Sequence, residues 1–486
     1  GSEMCIRDSY DPFWNAGTDA RDFFATGALA VFFCFSPLIY LFEPTAVYNV
    51  IIALLLFVFV PLCTCLSGLL LRKPRACVAI SGILALCCSL TWYRWGLKYG
   101  TLGFITASAL IPLNLAFAAI LLDRKRQFKG FEAIGCTVSG TLMLLWSPTG
   151  LVFLPVIGLG ILNLRRVLKK RFVTMICIAL LLINLPWVTL FVKVSKVGSF
   201  LSSEKPSYSE MHTSEAVATQ YRHKASGLNL ERSLEVVRDA GAPTHPVLLL
   251  LAIPALLLLR TGCERRIYTG TVAWLFVMGA ILSPLKPQLE LDRLLVVLAL
   301  VLAMPVAGLV WRMIEECRDR ASLWRTACTC LILGFICVGP FCVSAISYNR
   351  TIEQYAFAEP EVDRLAAIIR ENAGTGRTMF SGFVLHELSS GHLAPLTVFT
   401  GKPLLASSQV HNRWKYTDII PKEFLARGPS GIYEYLSLMN VSLVVAHEQT
   451  WLDFFKKRSD DFEWIASAGK FAVFRYIHCL LYTSPS

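Results

Sequence analysis

The chain has 486 residues, 55% of them hydrophobic and 16% charged, with a mean hydropathy of +0.55 and a formal net charge of +12. Soluble globules carry about 25% charged residues, so the composition excludes one and implies a chain that threads a membrane many times. The surplus base sits in short clusters between apolar runs and follows no nucleic-acid-binding pattern; it reads as a device of membrane orientation, with no nucleic-acid partner.

In chain order, GSEMCIRDS at residues 1–9 and the segment 478–486, ending CLLYTSPS, resemble translated sequencing-adapter readthrough and are expected to be artefactual tails. Residues 10–46 follow as a separate stretch, in which YDPFWNAGTDARDF brings Asp11, Asp19 and Asp22 together just before the apolar run 23–42. Ser36 and Pro37 break that run and Glu43 and Pro44 close it, which suits a re-entrant or interfacial helix and an external loop ahead of it. A crossing helix would put the aspartates on the other side, and hydropathy leaves both readings open.

A span needs roughly 20 apolar residues. Such runs lie at 47–71, 76–92, 100–122, 131–147, 148–164, 173–193, 246–260, 268–284, 294–312 and 326–347, so residues 47–347 read as a transmembrane domain of about ten helices. The loops between them alternate in charge. RKPR (72–75), DRKRQFK (123–129), RRVLKKR (165–171), RTGCERR (260–266) and RMIEECRDRASLWR (312–325) hold nineteen lysines and arginines, whereas WYRWGLKYG, WSPTG and SPLKPQLELDR hold four. The positive-inside rule puts the first set in the cytoplasm. The loop 194–246, with an amphipathic candidate helix in LNLERSLEVVRDAG, and everything after 347 are then extracytoplasmic.

No cysteine falls between Tyr348 and Ile477, which excludes a disulfide framework there, and Cys63/Cys65 and Cys328/Cys330 lack the paired spacing of a zinc site. The cysteines outside the tails read as small core hydrophobes. Residues 348–477 read as a small α/β domain. PEVDRLAAIIRENAG sets Val362, Leu365, Ala366 and Ile369 on one helical face and ends at a Gly374 cap; GIYEYLSLMNVSLVVAHE reads as a helix and then a buried strand; FEWIASAGKFAVFRY reads as a hairpin turning at Ala468-Gly469. The fold class is therefore mainly α, a polytopic transmembrane helical bundle with one re-entrant or interfacial helix and a C-terminal extracytoplasmic α/β domain.

Three stretches resemble the large bacterial membrane proteins of the GT-C type, a group that includes membrane proteins labelled with a 6-pyruvoyl-tetrahydropterin-synthase-related region. DPFWNAG is similar to the tryptophan, proline and glycine pattern of that family's first external loop, which a surface-lying apolar segment follows. PLKPQLELDRLLVVLALVLAMP resembles its external loop leading through an arginine into a late helix. HELSSGHLAPLTVFTGKPLLASS with YEYLSLMNVSLVVA is similar to its external C-terminal domain. The resemblance implies a glycosyltransferase of the bacterial inner membrane and cell envelope. Its substrate would be a polyprenyl-phosphate-linked sugar, its acceptor a glycan or protein, and its partners membrane lipids, with no further cofactor. The family pattern opens with a helix followed by an Asp, and that portion is expected to lie upstream of Tyr10.

Such transfer needs a carboxylate to orient or deprotonate the acceptor hydroxyl and cations to hold the leaving phosphate. Asp11, Asp19 and Asp22 are the candidate acids; the plainer reading is that they cap and solvate the start of the 23–42 helix. Arg293, beside Asp292 and near Lys286, is the leading phosphate ligand, because a guanidinium fork suits phosphate oxygens; the plainer reading is an arginine that snorkels and pairs with Asp292 or Glu290. Arg94 and Lys98 form a second cationic pair, in surroundings that equally suit an aromatic interface belt. His386 and His392 are candidates in the external domain; no HxH or HExxH spacing supports a metal. Transport of a lipid-linked glycan is the alternative. Against it, the helix centres are nearly without charge, and Asn114, Asn163 and Asn184 read as packing contacts. A noncatalytic scaffold with an external binding domain is a third reading.

Overall fold

A computed structural model of the chain describes residues 10–11, 18–19, 37–38, 40–99, 102–123, 126–144, 147–169, 172–195, 233–234, 246–259, 262–283, 291, 293–318, 360–382, 396–406 and 419–478, with single positions between 327 and 342. Of the run 23–42, read above as re-entrant or interfacial, only 37–38 and 40–42 are described, and the run 326–347 and the loop 194–246, read as spanning and external, fall outside the described residues apart from a few positions. Contacts divide the chain into two compact units, one of Phe24–Lys193 with Ser226–Thr351, the other of Gly1–Phe23, Val194–Ala225 and Ile352–Ser486.

The first unit is helical. Its main described helices are α1 (Pro44–Leu54), α2 (Val60–Leu70), α3 (Arg75–Tyr99), α4 (Leu102–Leu122), α5 (Gly130–Met143), α6 (Leu154–Leu162), α7 (Val173–Ser195), α8 (Pro246–Leu257), α9 (Gly262–Phe276), α10 (Arg293–Val296) and α11 (Leu298–Arg318), with a further single turn, Leu164–Val167, after α6. Each predicted apolar run from 47 to 312 falls on helix. Among the described residues three segments are long and apolar enough to cross a membrane, Ala46–Leu70, Gly103–Leu122 and Arg293–Glu316.

Local chemistry explains the irregularities. α1 and α2 form one rod joined by a π-turn, Leu55–Phe59; Pro61 has no N–H to donate, and the helix widens in the turn before it. α2 ends in a Schellman turn. The Lys73 N–H reaches Gly68 O and the Arg72 N–H reaches Leu69 O, both at 3.0 Å, with Arg72 at φ +55°. An arginine in this glycine-favouring position bears about 1 kcal/mol of left-handed strain and adds charge to the loop.

Three basic loops of one parity share an end of this unit. Lys73 donates to Glu264 at 2.7 Å; Arg126 donates to Glu132 at 2.8 Å and also to the Leu70 carbonyl that closes α2. Loops 72–75, 123–129 and 260–266 therefore lie together, as alternate crossings require. Polar groups inside the helices bond both within one helix and across to a neighbour. Asn114, Asn163 and Asn184 each donate to the carbonyl four residues back, and Ser139 of α5 donates to Asn114 Oδ1 of α4 at 3.0 Å. Of the three, Asn114 thus links two helices, α4 and α5. No disulfide joins the described cysteines, of which Cys63, Cys77 and Cys87 are buried.

In the other unit β1 (Tyr10–Asp11) pairs antiparallel with β2 (Thr18–Asp19). A five-stranded sheet runs in the order β4, β3, β5, β7, β6, with β3 at Arg377–Phe380, β4 at Leu404–Leu405, β5 at Val441–Ala446, β6 at Phe462–Ala468 and β7 at Phe471–Tyr476. β3 is parallel to β4 and β5, while β7 is antiparallel to β5 and β6. Alternation along β5 sends Leu443 and Val445 to one face with Phe380, and Val444 and Ala446 to the other with Met379. α12 (Pro360–Asn372) and α13 (Leu396–Thr400) cover the first face; α12 uses Val362, Leu365, Ala366 and Ile369, the predicted stripe, and Gly374 follows it at φ +57°. α14 (Pro429–Leu438) and α15 (Gln449–Lys456) cover the second through Ile432, Leu436, Trp451 and Phe455. The β6–β7 turn is Gly469-Lys470, one residue beyond its predicted place, with Gly469 at φ +55°.

One hydrogen-bonded group in this unit sets a pH dependence. Tyr433 donates to Asp461 at 2.7 Å, and His478 lies 2.9 Å from the same carboxylate. Burial, then the bond to Asp461, pushes the Tyr433 phenol up to about 12; the bonds from Tyr433 and His478 hold Asp461 below its ordinary 3.8. A depressed carboxylate stabilises above its unfolded pKa and stops doing so as pH falls, and a raised phenol stabilises until pH climbs past its unfolded value near 10. Tyr433→Phe is expected to lower the thermal midpoint between these limits, with the gap from the parent closing below pH 3.8. Melting curves at neutral and acid pH check it.

Candidate functional site

Arg293 opens α10 and is half-buried, followed by Leu294, Leu295 and Val296, each at most 2% exposed. Its position is fixed by an interlock. After α9 the helix widens into a π-turn, Val277–Leu282, and Gly279 in that turn faces Leu295. A Cβ at Gly279 would stand 2.2 Å from Leu295 Cγ and within 2.9 Å of both its methyl carbons, and Leu295 has nowhere to go. Gly279→Ala is expected to cost about 1–3 kcal/mol by overpacking. Adding Leu295→Ala should recover part of that, and unfolding of the four-member cycle measures the coupling.

The other sequence-predicted residues divide by location. Asp11 stands opposite Thr18 and Asp19 opposite Tyr10, which sets the two aspartates on neighbouring rungs of one short ladder. Arg94 and Lys98 fall in the last two turns of α3, four residues apart, at a helix end where the backbone dipole favours cations. Asp22, Lys286, Asp292, His386 and His392 lie outside the described residues. Among the described residues no cluster of three or more His, Cys, Asp or Glu is placed to hold a metal ion.

His447 and Glu448 were not among the site residues expected from the sequence. Both are half-buried and follow directly on the buried strand β5. Polar residues there, HE after VSLVVA, were a legible signal of a strand's carboxyl end. Ser381 and Gly382 follow β3 at the same level, since the Ser381 N–H donates to Val445 O at 2.9 Å. Gly382 has φ +77°, and a Cβ there would stand 2.6–2.8 Å from the Glu448 carboxylate. On the other side the His447 ring leans on Phe471, centroids 5.6 Å apart.

Solved structures share this architecture. ArnT from Cupriavidus metallidurans, in the crystal structure bound to undecaprenyl phosphate, aligns with a TM-score of 0.52 over 96% of this chain and 88% of that chain, at 12% identity. ArnT from the same organism in the apo state gives a TM-score of 0.51 over 87% of this chain and 83% of that chain, at 13% identity. No protein-family model matches the chain, and no curated protein does. At such identity the likeness is one of fold: the chain has a GT-C-like fold, mainly helical with a small sheet.

Proposed function

We propose that the chain is a membrane glycosyltransferase that moves a sugar from a polyprenyl-phosphate donor to a glycan or protein acceptor on the extracytoplasmic face of a bacterial inner membrane. The observation that carries this reading is the likeness, over nearly the whole chain, to ArnT bound to undecaprenyl phosphate. Arg293 supports it, as a half-buried guanidinium heading the apolar segment Arg293–Glu316.

In the proposed reaction the acceptor hydroxyl oxygen attacks the anomeric carbon, the bond from that carbon to the phosphate oxygen breaks, and the configuration inverts. The hydroxyl proton passes to a carboxylate, for which Asp11, Asp19 and Asp22 are the candidates. Lipid phosphate leaves with the bonding electrons, and Arg293, with Lys286, Arg94 and Lys98 as further candidates, stabilises its charge. His386 and His392 are candidates for acceptor contacts. No metal takes part in this scheme.

The test uses the purified chain in proteoliposomes, labelled undecaprenyl-phosphate sugars as donors and a membrane glycan extract as acceptor. The expected result is label in a new glycosidic bond together with release of undecaprenyl phosphate. Movement of intact labelled lipid across the bilayer without a new bond would replace transfer with transport.

A further inference from the structure

The basic end of the helical unit sorts its cations into two kinds. Lys73 and Arg126 are held inside the fold, by the buried carboxylates of Glu264 and Glu132 and, for Arg126, by the Leu70 carbonyl as well. Arg72, Arg75, Lys129, Arg265 and Arg266 come from the same three loops and are exposed, and among the described residues none of them forms an ion pair. Like charges gathered at one end of a bundle repel one another and draw anions from outside. Arg72 keeps its place at φ +55°, where a glycine would be unstrained, so its charge is separable from the turn it closes.

What flanks these cations selects the source of the anion. Leu62, Leu66 and Leu69 recur at helical spacing along α2 and are all exposed, so they form one apolar stripe that stops a turn before Arg72. On α3 the stripe is Ala79, Ile83 and Leu86, again exposed, and Arg75 stands four residues before Ala79 on the same face. Lys129 lies over the exposed Phe131 ring, 6.0 Å from its centroid, where the outer face of α5 begins. The segment that ends just before Arg72, Ala46–Leu70, is long and apolar enough to cross a membrane. Exposed apolar side chains on such a segment face acyl chains, and a cation one turn beyond them stands at headgroup depth. Free phosphate would use the cations and leave the stripes bare; an anionic phospholipid uses both.

We propose that the end of the α2–α3 hairpin is a binding surface for an anionic phospholipid of the adjoining leaflet. Arg72 and Arg75 take the headgroup phosphate, Lys129 and Arg266 add to the field that attracts it, and the acyl chains lie along the stripes of α2 and α3. Three residues of chain keep the Cα atoms of Arg72 and Arg75 within about 11 Å of each other, so two long side chains can meet on one phosphate. The inference does not depend on the transferase reading, which uses Arg293 at the head of a different apolar segment.

The test is native mass spectrometry of the full chain from micelles holding equal amounts of dioleoylphosphatidylglycerol and dioleoylphosphatidylcholine. The two lipids share their acyl chains, so a preference reports the headgroup. Phosphatidylglycerol is expected to bind the parent about 25-fold more tightly, two cations at about fivefold each, and high salt to erase most of that difference. Arg75→Gln should bring the preference down to about fivefold. Arg72→Gly should do the same while leaving the unfolding midpoint level or higher, because glycine relieves the left-handed backbone; a residue that mattered only to folding would move the midpoint and spare the preference. The double variant should bind the two lipids nearly alike. Equal binding of both lipids by the parent, or a double variant that keeps the parent's preference, overturns the surface. Displacement of phosphatidylglycerol by an equal concentration of inorganic phosphate would also overturn it, as an ion site without a lipid. Displacement by a lower concentration of undecaprenyl phosphate would overturn the phospholipid assignment in favour of a polyprenyl one. Should Arg72→Gly fail to fold, the parent's preference and Arg75→Gln decide.

Discussion

Arg293→Ala is expected to lower sugar transfer by about 10²–10³-fold, the usual cost of removing one preorganised donor from developing charge, while leaving expression and melting temperature near those of the parent. The expectation of intact folding follows from the geometry. α10 is anchored by Leu294, Leu295 and Val296, all buried, and by the Gly279 interlock, whereas Arg293 itself is only half-buried. Arg293→Lys should recover only part of the activity, because an ammonium keeps the charge and loses the planar fork that meets two phosphate oxygens at once. A snorkelling arginine predicts a different pair of outcomes, namely transfer unchanged and a small shift in stability for both variants. Rates measured at several donor concentrations separate the two, since a phosphate ligand acting on the departing group depresses the maximal rate as well as the apparent affinity.

The same neighbourhood shows what the sequence discloses and what it withholds. The apolar segment after Arg293 was legible because an unbroken run of leucine, valine and alanine has one reading in a membrane protein. The interlock was not, because Gly279 and Leu295 are far enough apart in sequence that no local pattern links them, and a π-turn has no signature in a uniformly apolar stretch. In the α/β unit the α12 stripe and Gly374 cap were legible from helical period alone, and β5 from its β-branched run. The strand order was not, since β3 pairs with β4 across 26 residues, Thr378 with Leu404, and with β5 across more than sixty, Thr378 with Leu443. The short ladder holding Asp11 and Asp19 likewise gave no periodic signal, two residues being too few to alternate.

Charge buried at a helix start was passed over for a related reason: on hydropathy Glu132 is one acid at the edge of an apolar run. It is 1% exposed, its carboxylate accepts from the Lys129 N–H at 2.7 Å and from Arg126 at 2.8 Å, and Arg126 donates onward to the carbonyl of Leu70. One side chain thus closes the start of α5 and, through Arg126, the end of α2. Glu132→Ala is expected to destabilise the chain by about 3 kcal/mol, combining a lost cap with the stranding of a partly enclosed guanidinium. Glu132→Gln should cost less, because the amide oxygen still accepts one of the two bonds. Arg126→Ala leaves the more buried partner as an unpaired carboxylate and should cost at least as much as Glu132→Ala. The double variant should then cost less than the sum of the two, since neither charge is left behind. Unfolding of the four proteins in one detergent measures this directly. A loss below about 1 kcal/mol in Glu132→Ala would mean the pair behaves like an exposed bridge, and the joining of α2 to α5 would have to be credited to apolar packing alone.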